Sequence, residues 1–282
     1  MKLKNYILGR WIEGSGEGQD LFNAVTGDVI ASASTEGISF EEVLAYGRNI
    51  GNKNLRDMTF HERGRMIKEL ALYLDSKKNL FYELSWATGA TKMDSWIDIE
   101  GRIGNSCAYS SLRRQFPDTP FCVDGDAIPM SKGGTFSATH IMTPKTGVAV
   151  HINAYNFPIW GMLEKIAVNL LAGVPAVVKP ATVTSYLTEL MVQEIHKSKI
   201  LPEGALQLIV GSARGIIEHV EMQDVVTFTG SAHTGRQLKS NPNVINNSIP
   251  FNLEADSLNA SVLGEDAVPG TPEFDIFIKE VS

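Results

Sequence analysis

The 282-residue chain is 43% hydrophobic and 20% charged, with a formal net charge of -7. This composition is typical of a folded globular protein with one large core or two modest ones, and it excludes extensive disorder. The acidic balance argues against nucleic acid or an anionic membrane surface as a partner, because both require clustered Lys and Arg.

Cysteine usage and the N-terminus narrow the class further. Cys107 and Cys122 lack CxxC spacing, so the sequence supports neither a disulfide framework nor a metal site. The basic N-terminal segment has no apolar core of secretory length, and no run of 18 apolar residues follows. We therefore predict a cytoplasmic protein that binds no metal, no nucleic acid and no membrane.

The first third predicts a helical layer with a small β decoration. Short strands are expected between residues 6 and 34. The glycines of 14–18 are interpreted as a surface hairpin turn and not as a nucleotide loop, since no strand-to-helix pattern follows them. Two capping boxes predict helix starts, Ser39 with Glu42 and Thr59 with Glu62.

A third helix is predicted over 94–114. Its apolar stripe consists of Trp96, Ile99, Ile103 and Cys107. Cys107 is therefore interpreted as a core residue.

A protruding β-arm is predicted at 134–148. Residues 120–130 look irregular, whereas 134–149 reads as two extended segments around a PKTG turn. An isolated two-stranded arm is only marginally stable, so we expect it to pair with another part of the protein or with a second subunit. We predict a homo-oligomer formed through the arm.

From residue 148 onward, strands and helices alternate. Strands are predicted at 148–152, 176–179, 206–210, 225–228 and 249–253, with helices at 158–171, 187–198, 213–219 and 231–240. This order predicts an α/β fold, a Rossmann-like parallel sheet with helices on both faces. Ligands of such sheets bind at the carboxyl ends of the strands.

The segment 224–235, DVVTFTGSAHTG, predicts a strand, a tight turn and a helix N-terminus. The free N–H groups and dipole of that helix end suit a phosphate. Gly230 and Gly235 fit neither GxGxxG nor a P-loop, so a connection without a ligand is equally open from spacing alone. A last helix is predicted from Thr271 and Pro272. Because it carries no stop signal before residue 282, we expect a piece of a longer polypeptide.

Four motifs in order, HINAYNFP from His151, VVKPAT from Val177, FTGSAHTG from Phe228 and NLEADSLN from Asn252, resemble the aldehyde dehydrogenase superfamily. Longer runs such as MTFHERG and GVAVHINAYNFPIWGMLEK resemble the dehydrogenase half of bifunctional phenylacetate-degradation enzymes. The resemblance covers essentially the whole chain. It implies an NAD(P)-binding domain over 1–133 and 149–254, an arm over 134–148, and the start of a truncated catalytic domain over 255–282.

The resemblance also implies a mechanism. A cysteine thiolate adds to an aldehyde, hydride leaves to the nicotinamide, and a carboxylate activates water to hydrolyse the thioester. Asn156 matches the oxyanion donor, although an isolated NFP sequence favours an asparagine that satisfies turn backbone groups. Glu254 matches the general base. The usual glycine pair after it is replaced by Ala255 and Asp256, and Asp256 either shares the role or hydrogen-bonds the loop.

The family's nucleophile lies C-terminal to the glutamate, where this chain has no cysteine, so we expect the chain alone to be inactive in hydride transfer. The implied cofactor-binding residues are Ile152, Lys179, Thr182, Gly211, Ser212, Gly230 and Ser231. NAD-preferring relatives often carry Glu at the position of Thr182. A neutral Thr removes repulsion from a 2′-phosphate, which Lys179 and Ser212 would receive, so we predict NADP over NAD.

The implied substrate is a small-molecule aldehyde linked to CoA. Two alternatives remain at this point. The chain could be a non-catalytic dinucleotide-binding or assembly module of the same fold. It could also belong to a CoA-acylating dehydrogenase, against which Glu254 argues because such an enzyme needs no base to activate water.

Overall fold

The computed structural model describes residues 1–256 and 260–281. The strands are β1 (Asn5–Ile7), β2 (Arg10–Ile12), β3 (Gln19–Phe22), β4 (Val29–Ala33), β5 (Cys122–Pro129), β6 (Ser137–Met142), β7 (Ala149–Ile152), β8 (Ala176–Lys179), β9 (Leu206–Leu208), β10 (Val225–Gly230) and β11 (Phe251–Ala255). The α-helices are α1 (Phe40–Tyr46), α2 (Asn52–Arg56), α3 (Phe60–Ser76), α4 (Lys78–Ser85), α5 (Lys92–Trp96), α6 (Arg102–Ser111), α7 (Pro158–Leu171), α8 (Ser185–Ser198), α9 (Ala232–Lys239), α10 (Pro242–Asn246) and α11 (Pro272–Val281).

A seven-stranded sheet forms the centre, in the order β11-β10-β7-β8-β9-β1-β2. The five strands from β7 to β11 are parallel, as predicted, while β1 and β2 add antiparallel strands beyond β9. The strands β1 and β2 therefore belong to the main sheet, whereas we predicted only a small separate β element in this region.

Both faces of the sheet are covered by helices, which confirms the predicted α/β class. On one face α3, α7 and α8 contribute to a core that includes Leu70, Leu163 and Leu187. On the other face α1 and α10 pack their apolar side chains, Val43 and Val244 among them, against alternate strand residues. A strand that is buried on both faces has an almost continuous hydrophobic sequence, which explains why these strands could be predicted.

The region between β2 and β4 corrects the hairpin predicted at 14–18. β2 joins the large sheet, whereas β3 pairs with β4 in a separate two-stranded sheet. The glycine-rich segment therefore connects two sheets. A turn-forming composition marks a change of direction but not the partners of the flanking strands.

The predicted helix over 94–114 is present but interrupted. α5 and α6 are joined by a π-helical turn, Ile97–Gly101, and a 3-10 turn, Leu112–Gln115, follows. Ile99 and Ile103 are buried, whereas Trp96 is half exposed and does not belong to the buried stripe. The π-helical turn shifts the helical register, so a stripe counted at α-helical spacing fails on one side of it.

The β-arm is a real hairpin, but its strands differ from the prediction. β5 pairs with β6 antiparallel, so the segment 120–130 is not irregular. The connection is residues 130–136, and PKTG lies outside the hairpin. β5 escaped prediction because its residues are nearly all exposed and its register shifts between Asp124 and Ile128, where Gly125 has φ 72°.

Two other predictions change. The helix expected over 213–219 is only a 3-10 turn, Ile216–His219, because Gly215 adopts a left-handed conformation immediately before it. α11 begins at Pro272 as predicted, with the Thr271 hydroxyl accepting the Phe274 N–H. Within the segment 255–282, residues 257–259 and 282 lie outside the described residues. No helix in the described ranges is both long and apolar enough to cross a bilayer.

Candidate active site

The predicted site residues lie at one edge of the sheet. Parallel strands end at the same edge, so the loops after β7 to β11 gather there. In the spatial order of the strands, this edge carries Glu254, then Gly230 and Ser231, then Ile152 and Asn156, then Lys179 and Thr182, then Gly211 and Ser212. The residues share an edge and not one enclosed cavity: of these residues, only Glu254 lines the cavity described below.

Glu254 is held by two contacts near the end of β11. The Thr229 hydroxyl donates to Glu254 Oε2 at 2.8 Å, and Lys165 Nζ lies 3.8 Å from the same oxygen. The Glu254 side chain is 52% exposed, so its carboxylate is reachable from solvent in this chain and is less desolvated than a buried strand end suggests.

Lys165 is a buried lysine that the sequence did not single out. It lies on α7 and contacts Glu164 Oε1 at 3.2 Å as well as Glu254. Beyond Glu164, the Arg102 guanidinium stacks over Trp160, whose indole N–H donates to Glu164 at 2.9 Å. A continuous series of contacts thus links Arg102 on α6, through Glu164 and Lys165 on α7, to the candidate base Glu254.

A cavity of about 420 Å³ lies beside this chain of charges. It is bounded by α6, α7 and one face of β7, β10 and β11, and its charged lining residues are Arg102, Lys145, Glu164, Lys165 and Glu254. The cavity offers a space in which a polar reactant would meet the Glu254 carboxylate.

Asn156 lies in the loop between β7 and α7. Its side chain is exposed and makes no hydrogen bond within the described residues, so the turn backbone does not occupy the amide. The loop is tied to its neighbour, because the Thr184 hydroxyl donates to the Tyr155 carbonyl at 3.2 Å. The amide therefore stays available to a ligand from a loop whose backbone is held.

Asp98 fixes the helix that follows Asn156. This buried carboxylate accepts the N–H of Trp160 at 2.6 Å and that of Ile159 at 3.4 Å, both in the first turn of α7. Burial raises the pKa of Asp98 to about 7, against the lowering effect of those two bonds. An acidic residue on another helix thus caps α7 and sets the position of the loop before it.

His151 is buried beneath the site and is best interpreted as structural. Its Nδ1 lies 2.7 Å from the Thr227 hydroxyl and its Nε2 lies 2.8 Å from Asn169 Oδ1. Burial lowers the pKa of the imidazole to about 4, so the ring is neutral at physiological pH.

Lys179 ends β8 as a partly buried cation without a partner among the described residues. Burial lowers the pKa of its ammonium group. Thr182 starts a 3-10 turn after it, Thr182–Thr184, and is uncharged. An unpaired, partly desolvated ammonium group at a strand end is suited to an anionic or hydroxyl-bearing ligand.

The turn after β10 has the predicted form. Ser231 caps α9, and its hydroxyl oxygen accepts the Thr234 N–H at 3.3 Å. Gly235 packs where an added Cβ would collide with Leu253, so the helix lies close against β11. The N–H of Ala232, the first residue of the helix, is donated to Asp256 Oδ2 at 3.1 Å.

The loop after β9 is held from the N-terminal region. Gly211 has φ 118°, a conformation that L side chains rarely adopt. The Thr35 hydroxyl donates to the Ser212 carbonyl at 2.6 Å and fixes the loop at this edge.

The aldehyde dehydrogenase family model matches residues 11–268, which is most of the chain. This chain belongs to the aldehyde dehydrogenase family. It is 41% identical over all 282 residues to the 3,4-dehydroadipyl-CoA semialdehyde dehydrogenase of Aromatoleum evansii, covering 100% of this chain and 55% of that protein. It is 28% identical over 244 residues to the D-glyceraldehyde dehydrogenase (NADP(+)) of Picrophilus torridus, covering 84% and 47% of the two chains.

Solved structures show the same aldehyde dehydrogenase fold. Betaine aldehyde dehydrogenase from Staphylococcus aureus, in complex with NAD+, superposes with a TM-score of 0.82 at 21% identity, over 99% of this chain and 54% of that one. A 3,6-anhydro-L-galactose dehydrogenase in complex with NADP gives a TM-score of 0.79 at 23% identity, over 91% and 52%. The chain thus spans about half the length of the relatives that it matches.

The aldehyde dehydrogenase family uses a nicotinamide cofactor, and the residues at the sheet edge fit such a dinucleotide. Lys179 supplies a cation that has no partner among the described residues, and α9 supplies a capped helix N-terminus. Gly211 and Gly230 add no side chain to the loop after β9 and to the end of β10. Cys107 packs against the core from α6, and Cys122 begins β5, and neither lines the cavity at Glu254. Among the described residues no three His, Cys, Asp or Glu side chains form a metal-binding group.

Sequence reasoning missed the residues that support this candidate site. Lys165 stood inside a motif used for the resemblance, but its sequence position does not show that it reaches Glu254. Asp98 gave no sequence signal, because its sequence neighbours Ile97 and Ile99 do not share its face of the helix and Glu100 is also acidic.

Proposed function

We propose that this chain is the cofactor-binding half of an NADP-dependent aldehyde dehydrogenase that oxidises a CoA-linked semialdehyde to the carboxylic acid. The observation that carries the proposal is the gathering of Asn156, Lys179, Ser231 and Glu254 at the ends of neighbouring parallel strands. Family membership supports the chemistry, and the 41% identity to an enzyme named for a CoA semialdehyde supports the substrate class.

Glu254 acts as the base that removes a proton from the hydrolytic water. The Thr229 hydroxyl and the Lys165 ammonium group orient its carboxylate, and the neighbouring cavity leaves room for the water. Asn156 donates its amide N–H to the oxyanion that develops on the aldehyde oxygen. Asp98 keeps α7, and with it the Asn156 loop, in place.

A bound dinucleotide would supply the hydride acceptor. Lys179 and Ser212 would receive its ribose phosphate end, while Gly230 and Ser231 would hold its pyrophosphate at the N-terminus of α9. Ile152 and Gly211 line the path between these points. Thr182 leaves the 2′-phosphate unopposed by a carboxylate, which favours NADP, with NAD as the weaker ligand.

The nucleophilic thiol comes from outside these 282 residues in this proposal. Neither Cys107 nor Cys122 lines the cavity at Glu254, and both are better explained by their packing and strand positions. The 282-residue chain alone is therefore expected to bind cofactor without oxidising aldehyde.

We test the activity with the complete protein, using 3,4-dehydroadipyl-CoA semialdehyde and the matching aldehyde without CoA, and follow NADPH formation. Turnover with the CoA-linked aldehyde is expected, and its absence with both aldehydes contradicts the proposal. A semialdehyde of phenylacetate catabolism is the second substrate to compare. The 282-residue chain serves as the cofactor-binding control without turnover.

Glu254→Gln separates hydrolysis from acyl transfer to CoA. In the complete protein the first NADPH burst is expected to persist, while steady-state turnover falls about 10²–10⁴-fold, the usual contribution of a general base. Unchanged turnover, or acyl-CoA as the product when free CoA is added, favours a CoA-acylating enzyme.

The hairpin of β5 and β6 is proposed as the contact between subunits. It exposes apolar side chains on an isolated pair of strands, among them Val123, Ile128 and Ile141. Ile128→Asp with Ile141→Asp is expected to reduce the oligomer size measured by analytical ultracentrifugation. An unchanged size removes the hairpin from the interface.

A further inference from the structure

Asp256 lies at the N-terminus of α9, in the loop that follows β11. Its Oδ2 accepts the N–H of Ala232, the first residue of the helix, at 3.1 Å. The register of the parallel strands explains the contact. Gly230 pairs with Ala255, so the residues that follow them, Ser231 and Asp256, are neighbours.

The backbone changes direction to bring this carboxylate to α9. Asp256 has φ 42°, in the left-handed region that Asp tolerates better than most residues. In a continuing strand, residue 256 would face the same side as Glu254, by the two-residue alternation of a strand. α9 packs on the opposite side, where Leu253 meets Gly235. The left-handed turn therefore moves a negative charge from the side of the base to the side of the helix.

We propose that Asp256 sets the affinity for the dinucleotide by competing with its pyrophosphate for the N-terminus of α9. This inference rests on the proposed function, which puts the pyrophosphate at that helix end. The free N–H groups and the dipole of the helix favour an anion there, and in the cofactor-free chain that anion is the Asp256 carboxylate.

Two anions cannot use the Ala232 N–H together. When a pyrophosphate arrives, Asp256 either leaves the helix end or stays close to it and repels the ligand. Both outcomes reduce the net binding free energy of the phosphate-bearing cofactor. A glycine at this position would suit the left-handed backbone and would carry no competing charge.

Isothermal titration of the 282-residue chain tests the competition. The variants are Asp256→Asn, which removes the charge, and Asp256→Gly, which removes the side chain and accepts the backbone conformation. The control is Asp126→Asn, which removes one charge from the exposed hairpin strand β5. The probes are NADP+ and adenosine, which carries no phosphate.

Both Asp256 variants are expected to bind NADP+ about three- to tenfold more tightly, the size of a like-charge repulsion near a protein surface. Adenosine affinity and the Asp126→Asn control stay unchanged. If wild type binds NADP+ and the Asp256 variants bind it equally or less tightly, this inference is wrong and the proposed function stands. If no form binds NADP+, both are wrong.

Thermal unfolding without ligand distinguishes competition by Asp256 from a general stabilisation of the folded chain by the substitution. Loss of a favourable charge at a helix end is expected to leave the ligand-free Asp256→Asn chain no more stable than wild type. Tighter cofactor binding by a chain of equal or lower stability supports competition. A ligand-free chain stabilised in proportion to its gain in affinity contradicts it.

Discussion

Thr229 and Glu254 are joined across the last two parallel strands, where the threonine hydroxyl donates to the glutamate Oε2 at 2.8 Å. The two residues are direct partners in the register of β10 and β11. The pairing that builds the sheet edge therefore also orients the carboxylate. Lys165, from α7, approaches the same oxygen from the helical layer.

Thr229→Val tests this orientation. Valine keeps the shape and removes the donor, and a hydrogen bond to a charged group contributes about 1.5–3 kcal/mol. In the complete enzyme we expect steady-state turnover to fall at least about tenfold, since 1.4 kcal/mol is a factor of ten, while the first NADPH burst stays unchanged. Thr229→Ser keeps the hydroxyl and should retain turnover. An equal loss in both variants would assign Thr229 to packing.

Thr182→Glu tests the cofactor preference. A carboxylate at this position meets the 2′-phosphate of NADP as a like charge and offers NAD a hydrogen-bond acceptor for its ribose diol. We expect NADP+ to bind at least about tenfold more weakly, and NAD+ to bind equally or more tightly, in equilibrium titrations of the 282-residue chain. Thr182→Gln, which adds length without charge, is the matched control. If Gln and Glu have the same effect, charge does not select the cofactor.

The sequence was sufficient for the parallel part of the fold. Apart from His151 and Lys179, the runs 148–152 and 176–179 are apolar because both faces of their strands are covered, and that signal does not depend on the partner strands. Asn156 and Glu254 were assigned through the family resemblance, and the structure puts Asn156 in the loop after β7 and Glu254 near the end of β11. Local sequence and local geometry agree there.

The supporting contacts were not predictable in the same way. Asp98 reaches the first turn of α7 from a different helix, across 62 residues of chain. Lys165 meets Glu254 only when α7 lies over the sheet. The hairpin was placed too late along the chain because β5 is exposed on both faces and interrupted at Gly125, which removes the alternation that marks a strand.

Asp98 gives the folded chain a dependence on pH. Its folded pKa of about 7 lies above the ordinary value of 3.8, so the folded state binds the proton more tightly than the unfolded state. The contribution of Asp98 to the free energy of unfolding is therefore fully present below about pH 4 and is lost as pH rises through about 7. Urea titrations at several pH values give the free energy of unfolding of wild type and of Asp98→Asn. The difference between the two chains should change with pH as this contribution is lost.

The pH dependence that His151 gives to the free energy of unfolding must be separated from that of Asp98. Its folded pKa of about 4 lies below the ordinary 6.5, so its contribution is present above about pH 6.5 and is lost as pH falls through about 4. Because His151 is unchanged in Asp98→Asn, its slope cancels in the difference between the two chains. If the difference in the free energy of unfolding between the two chains does not change between about pH 4 and about pH 7, Asp98 is already ionised in the folded protein at acidic pH.

Asp224 and Arg48 form a buried ion pair near the amino-terminal ends of the parallel strands. Asp224 is fully buried and accepts Arg48 Nη2 at 2.5 Å, as well as the Val148 N–H at 2.9 Å. Asp224→Asn leaves the guanidinium with only the half-exposed Glu221 carboxylate, which lies 2.9 Å from Arg48 Nη1. Losing the buried partner is expected to cost up to about 3–5 kcal/mol in the free energy of unfolding. Glu13→Gln breaks the exposed Lys4 pair and should cost at most about 1 kcal/mol. Urea unfolding that gives both variants the same cost would show that burial does not strengthen the pair.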